Sequence, residues 1–92
     1  MKVHNLLSSE ERWMRNGGAQ SEAGFTVDPA SDSAVRWSVF GALHRCYPST
    51  SDRLHALLTI QDCLPAPFTA VRAFNRVCSY STLRALLLRA KV

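Results

Sequence analysis

The side chains of this sequence with catalytic or metal-binding potential are three histidines, three cysteines and seven carboxylates, and their spacing limits what they can do. His44 and Cys46 lie on a segment with helical periodicity. Residues two apart on a helix point about 200° away from each other, so this pair shares no ligand face. His55 and Cys63 match no zinc spacing either. Glu10, Glu11, Glu22, Asp28, Asp32, Asp52 and Asp62 mostly fall at expected helix starts or in loops, where a carboxylate complements the helix dipole. No nucleophile elbow and no cysteine–histidine signature is present. Gly17-Gly18 lacks the lysine that follows a phosphate-binding loop. The sequence therefore predicts a protein that is not an enzyme, with no catalytic residue, no metal and no cofactor.

The charged residues carry more information. Through residue 62, Lys2, Arg12, Arg15, Arg36, Arg45 and Arg53 face all seven acidic residues. After it come Arg72, Arg76, Arg84, Arg89 and Lys91, with no acidic residue among them. The net charge of +4 thus arises entirely in the last third. Such asymmetry predicts a partner with an acidic surface, either a protein or ribonucleoprotein or else nucleic acid itself. The leading expectation is a small protein-interaction module that uses this basic C-terminal face, as a phage-type inhibitor that occludes a host complex would. The alternative is a nucleic-acid-binding domain built on residues 67–91 as helix, turn, helix. In it Tyr80 and Ser81 would begin a recognition helix and the arginines would contact phosphates. The turn of that unit carries no glycine and reads as longer than the motif usually allows.

These residues must be positioned by a small fold. Ninety-two residues make one domain, 1–92, and 47% hydrophobic with 20% charged residues is globular and not disordered composition. The run Leu86-Leu87-Leu88 is far too short to cross a bilayer, so no membrane association is expected. The opening MKVHNLLSSEE does not read as a signal peptide. Cys46, Cys63 and Cys78 are odd in number and widely spaced, which predicts free thiols and a cytoplasmic protein.

Patterning predicts a mainly α fold, a compact bundle of four to five short helices. The first spans residues 2–12 and ends at the turn Asn16-Gly17-Gly18. A small β-hairpin is expected within 13–27, pairing the surroundings of Trp13 with Phe25-Thr26-Val27. The central helix is expected over 32–46, capped by Ser31 or Asp32. Its stripe Val35, Val39, Ala42, Cys46 adjoins a second, Trp37, Phe40, His44, Tyr47, so it should be buried on two sides. Gly41 in such a helix predicts a close approach by another element, because glycine costs about 1 kcal/mol of helix propensity against alanine. A helix over 51–64 should bury Leu54, Leu57, Leu58 and Leu64, with Ile60 beside them, and another should start at Pro67 and bury Phe68, Ala70, Val71 and Phe74. The last helix repeats Leu83, Leu86, Leu87 and Ala90 at i, i+3, i+4, i+7. That stripe would serve a core or equally a dimer contact. Trp13, Trp37, Phe40, Gly41 and Phe74 are expected in the core, where large aromatics bury the most apolar area, and not around a ligand. His44 is expected to be partly buried and His55 exposed or at an edge.

The order of these features resembles a family of small uncharacterised bacterial and phage proteins, a domain of unknown function. The similarity lies at Trp13, at Gly24 with Val27-Asp28-Pro29, at Ala34, Trp37 and Gly41-Ala42-Leu43, at Phe74-Asn75, and in the stripe from Leu83 to Ala90. The chain departs from it at Arg76, where the family carries an acidic residue, and at Ser38, where it often carries cysteine. The resemblance implies a fold and no activity.

Overall fold

The computed structural model describes residues 1–92 and places five helices around one core, with a small two-stranded antiparallel sheet against it. Helix α1 spans Val3–Leu6, and a 3-10 turn follows at Glu10–Arg12. The strands are β1, Ala19–Ser21, and β2, Ala34–Trp37. Then come α2, Val39–Cys46, α3, Thr50–Asp62, α4, Val71–Val77, and α5, Tyr80–Ala90. No helix is long and apolar enough to cross a membrane.

The expected 32–46 helix is half its length. Residues 34–37 form β2 instead, paired with β1 in the register Ala19↔Trp37, Gln20↔Arg36, Ser21↔Ala34, with an irregularity after Gln20. Two bonds of Ser38, one local and one to a distant segment, divide strand from helix. The Ser38 hydroxyl accepts from Gly41 N at 3.1 Å, an N-cap that starts α2 one residue later. Ser38 N donates to Gly18 O at 3.1 Å, which ends the pairing with the first strand. The expected caps Ser31 and Asp32 lie in a turn ahead of β2 and start no helix: Ser31 Oγ accepts from Ser33 N, and Asp28 Oδ1 just before it accepts from Ala30 N.

The small sheet also pairs differently from expectation. Trp13 bridges to Trp37, with Met14 N donating to Trp37 O at 3.1 Å. Thr26 bridges to Gln20 and Val27 N donates to Ala19 O, so residues 26–27 lie beside β1 and not beside Trp13. Phe25 is left 72% exposed at the tip of the loop.

The α5 stripe is buried as its period requires, with Leu83, Leu86, Leu87 and Ala90 all in the core. Trp13, Trp37, Gly41 and Phe74 are buried too. Phe40 is not; it is half-buried, packed on the core from outside with the Arg72 guanidinium 5.1 Å from its ring centre. His44 is exposed, because the short α2 turns Ala42 and Leu43 inward instead. Helix α3 is rotated from expectation. Ala56 and Ile60 face the core, Leu57 and Leu64 are half-buried, and Leu54 and Leu58 are 55% and 50% exposed. Helix α4 begins at Val71, four residues after Pro67: Phe68 N closes a turn on Pro65 O, Ala70 is extended and exposed instead of inward, and half-buried Phe68 packs edge-on against Phe74 at 5.2 Å.

Asn75 ties these parts together. It is buried on α4, and its Oδ1 accepts from Trp13 Nε1 at 2.8 Å and from Val39 N at 3.3 Å. Its Nδ2 donates to Arg15 O at 2.8 Å and Met14 O at 3.3 Å. One amide thus satisfies an indole, a free N–H at the start of α2 and two carbonyls of an irregular segment. The close approach that Gly41 implies is also present: a Cβ there would stand 1.8 Å from Gly18 O.

Three substitutions at two positions test this arrangement by denaturant unfolding. Asn75→Ala strands several buried polar groups and should lower stability by about 3 kcal/mol. Asn75→Asp should be no better, because it sets an acceptor against two carbonyls, and a stable Asp variant would refute the amide's donor role. For Gly41→Ala, helix propensity alone gives a gain of about 1 kcal/mol, whereas the clash with Gly18 O gives a loss of about 3 kcal/mol. A loss is expected.

Candidate partner-binding surface

The basic residues of the last third do not form one face. Arg72 and Arg76 stand one turn apart on α4 and line the same hollow. Arg84 is half-buried and turns toward α1, where its guanidinium donates to His4 O at 3.0 Å. Arg89 is exposed at a different hollow, beside Phe74, Leu86 and Cys63. Lys91 lies by His55 and Val92 in a left-handed conformation that caps α5, and its carbonyl accepts from Lys2 Nζ at 3.0 Å. Of the five, only Arg72 and Arg76 converge.

A third arginine joins them from elsewhere in the chain. Asn75 holds the backbone at Met14 and Arg15, and the Ser38 hydroxyl donates to Gly17 O at 2.6 Å. Residues 15–17 are thereby pinned against α4. The Arg15 guanidinium lies 4.7 Å from the Trp13 ring centre and donates to Cys78 O at 2.6 Å and Arg76 O at 3.2 Å. It sits at the C-terminal end of α4, where the last carbonyls favour a cation. Arg15, Arg72 and Arg76 therefore border one hollow of about 100 Å³, with Asn16, Gly17 and Phe40 in its wall and no carboxylate among its lining residues. The sequence gives no sign of Arg15's part, because it lies in the half of the chain where charges balance.

Phe40 is shared with a second hollow of about 200 Å³, walled by Leu43, Leu54, Leu57, Thr50 and Arg53. Arg53 is held at its rim by donating to Tyr47 O at 3.2 Å and Pro48 O at 3.0 Å. The exposed Leu54 and Leu58 extend this apolar surface along α3. A cationic hollow and an apolar one thus meet at a single ring.

The residues of the helix-turn-helix alternative have other partners. Only Cys78 and Ser79 separate α4 from α5, a tighter turn than the sequence suggests. Tyr80 is half-buried and its hydroxyl donates to Leu7 O at 2.6 Å, while Ser81 is exposed and its hydroxyl lies 3.2 Å from that of Ser79. No hollow gathers Trp37 with His44, since the Trp37 indole donates to Pro29 O and its ring is flanked by Arg12 and Arg45, each 5.7 Å away. No three histidine, cysteine or carboxylate side chains gather as metal ligands. Burial pushes the Cys46 and Cys78 thiols up from the ordinary cysteine range, against the lowering effect of Arg45 and Arg15 respectively. Both stay protonated near neutral pH and are poor nucleophiles.

Tyr80→Phe separates the two roles open to this side chain. It should lower stability by about 1 kcal/mol by leaving Leu7 O without its donor. A Phe variant as stable as the parent would free the hydroxyl for an external partner.

Comparison of the chain with protein-family models, with curated proteins and with solved structures finds no match to it.

Proposed function

We propose that the protein is a non-enzymatic interaction module that binds an acidic surface of a protein or ribonucleoprotein and occludes or bridges it, as an inhibitor of a host complex would. The observation that carries this reading is the convergence of Arg15, Arg72 and Arg76 on one hollow that no carboxylate lines. Cations gathered without counter-charge repel each other, so an acidic ligand relieves that repulsion and is steered toward it. The apolar hollow on the other side of Phe40 adds area that a protein can cover, as the centre of a specific interface requires.

The nucleic-acid reading draws support from the exposed arginines and from the short turn between α4 and α5. Against it, Tyr80 and Arg84 are bonded within the fold, and Arg89 and Lys91 border different hollows from Arg72 and Arg76.

The test is capture of host proteins by the tagged chain, with and without the double charge reversal Arg72→Glu, Arg76→Glu. Both side chains are exposed, so the variant should keep its cooperative melt. Capture should be lost in the variant and should survive nuclease treatment in the parent. Undiminished capture by the variant counts against the module, and capture abolished by nuclease favours the nucleic-acid alternative.

A further inference from the structure

The geometry points to a bipartite ligand for this surface: an acidic amphipathic helix of the partner protein. One of its large apolar side chains would enter the hollow of Phe40, Leu43, Leu54 and Leu57. A neighbouring carboxylate would reach Arg15, Arg72 and Arg76. This rests on the interaction-module reading and specifies what the module recognises.

Three observations lead to it. First, the two hollows share Phe40, whose ring lies 5.1 Å from the Arg72 guanidinium, so a ligand crossing the ring meets both. Second, Leu54 and Leu58 are one helical turn apart on α3 and are 55% and 50% exposed, which makes an uncovered apolar row. A row of that spacing suits the i and i+3 or i+4 anchors of a helix laid in a groove. Third, both hollows carry only positive charge. Arg53 stands at the apolar one, the three arginines stand at the other, and neither has a lining carboxylate. Acidic flanks on the incoming helix complement that charge, and basic flanks are repelled. A nucleic-acid backbone would satisfy the arginines but would leave the leucine row in water.

The experiment is fluorescence anisotropy with three labelled synthetic helices. The first carries leucines at i and i+4 flanked by glutamates, the second replaces the glutamates with lysines, and the third replaces the leucines with serines. The leucine–glutamate peptide should bind at least about tenfold more tightly than either control, as expected when both anchors contribute. Arg72→Glu with Arg76→Glu should weaken it about tenfold and reverse the preference toward the lysine peptide. Leu54→Asp, at an exposed position, should weaken it by a similar factor with an unchanged melt. Equal binding of the serine peptide, or indifference to Leu54→Asp, would overturn the bipartite ligand. So would a short nucleic-acid duplex that displaces the first peptide while binding more tightly itself. If no peptide discriminates but charge reversal still removes protein capture, the helix ligand fails and the interaction module stands. If charge reversal leaves capture intact, the module itself fails, whatever the peptides do.

Discussion

The buried amide of Asn75 joins α4 to α2 and to the segment from Trp13 to Arg15. Much of the first forty residues is irregular or only briefly paired, and buried main-chain groups there need partners from outside the segment. Asn75 supplies four bonds at once, to the Trp13 indole, the first N–H of α2, and the carbonyls of Met14 and Arg15. The identities of the partners determine which way the amide points: two donors face its oxygen and two acceptors face its nitrogen. The same amide fixes the surface. With Asn75 turned inward on α4, Arg72 and Arg76 lie on its outer flank, and the segment it holds brings Arg15 beside them. One buried side chain thus links the packing of residues 13–15 to the shape of the basic hollow.

Gly41 and Ser38 complete this junction from the other side. Ser38 caps α2 through Gly41 N and reaches Gly17 O with the same hydroxyl. Glycine at 41 lets the Gly18 carbonyl lie against the helix. The turn at residues 16–18 is therefore clamped between α2 and α4, which gives the hollow a rigid wall in place of a loose loop.

The arginines divide into two groups by what they bond. Arg15, Arg36, Arg45, Arg53 and Arg84 all end on main-chain carbonyls, where several donors in a fixed fork can satisfy the ends of short helices and turns. Because these contacts use carbonyls, none of them pairs a guanidinium with a carboxylate. Arg72 and Arg76 hold their guanidinium groups at the surface. Arg15 belongs to both groups: its bonds to Arg76 O and Cys78 O are structural, and its charge still faces the hollow. A count of basic residues along the chain does not separate these roles.

Features that depend on neighbours a turn apart are legible along the chain. The 3.6-residue period alone puts Leu83, Leu86, Leu87 and Ala90 on one face of a helix, and the core covers that face. The mainly α class follows from these. Tertiary structure decided everything that depends on distant partners. Residues 34–37 carry a stripe compatible with a helix, yet they form a strand because Ala19–Ser21 and Trp13 pair with them. Helix α3 shows two apolar faces, and packing chose Ala56 and Ile60, leaving Leu54 and Leu58 outside. The joining of Arg15 to Arg72 and Arg76 runs through a bond between residues 60 positions apart. Local periodicity carries no information about contacts at that separation, so the surface exists only in the folded chain.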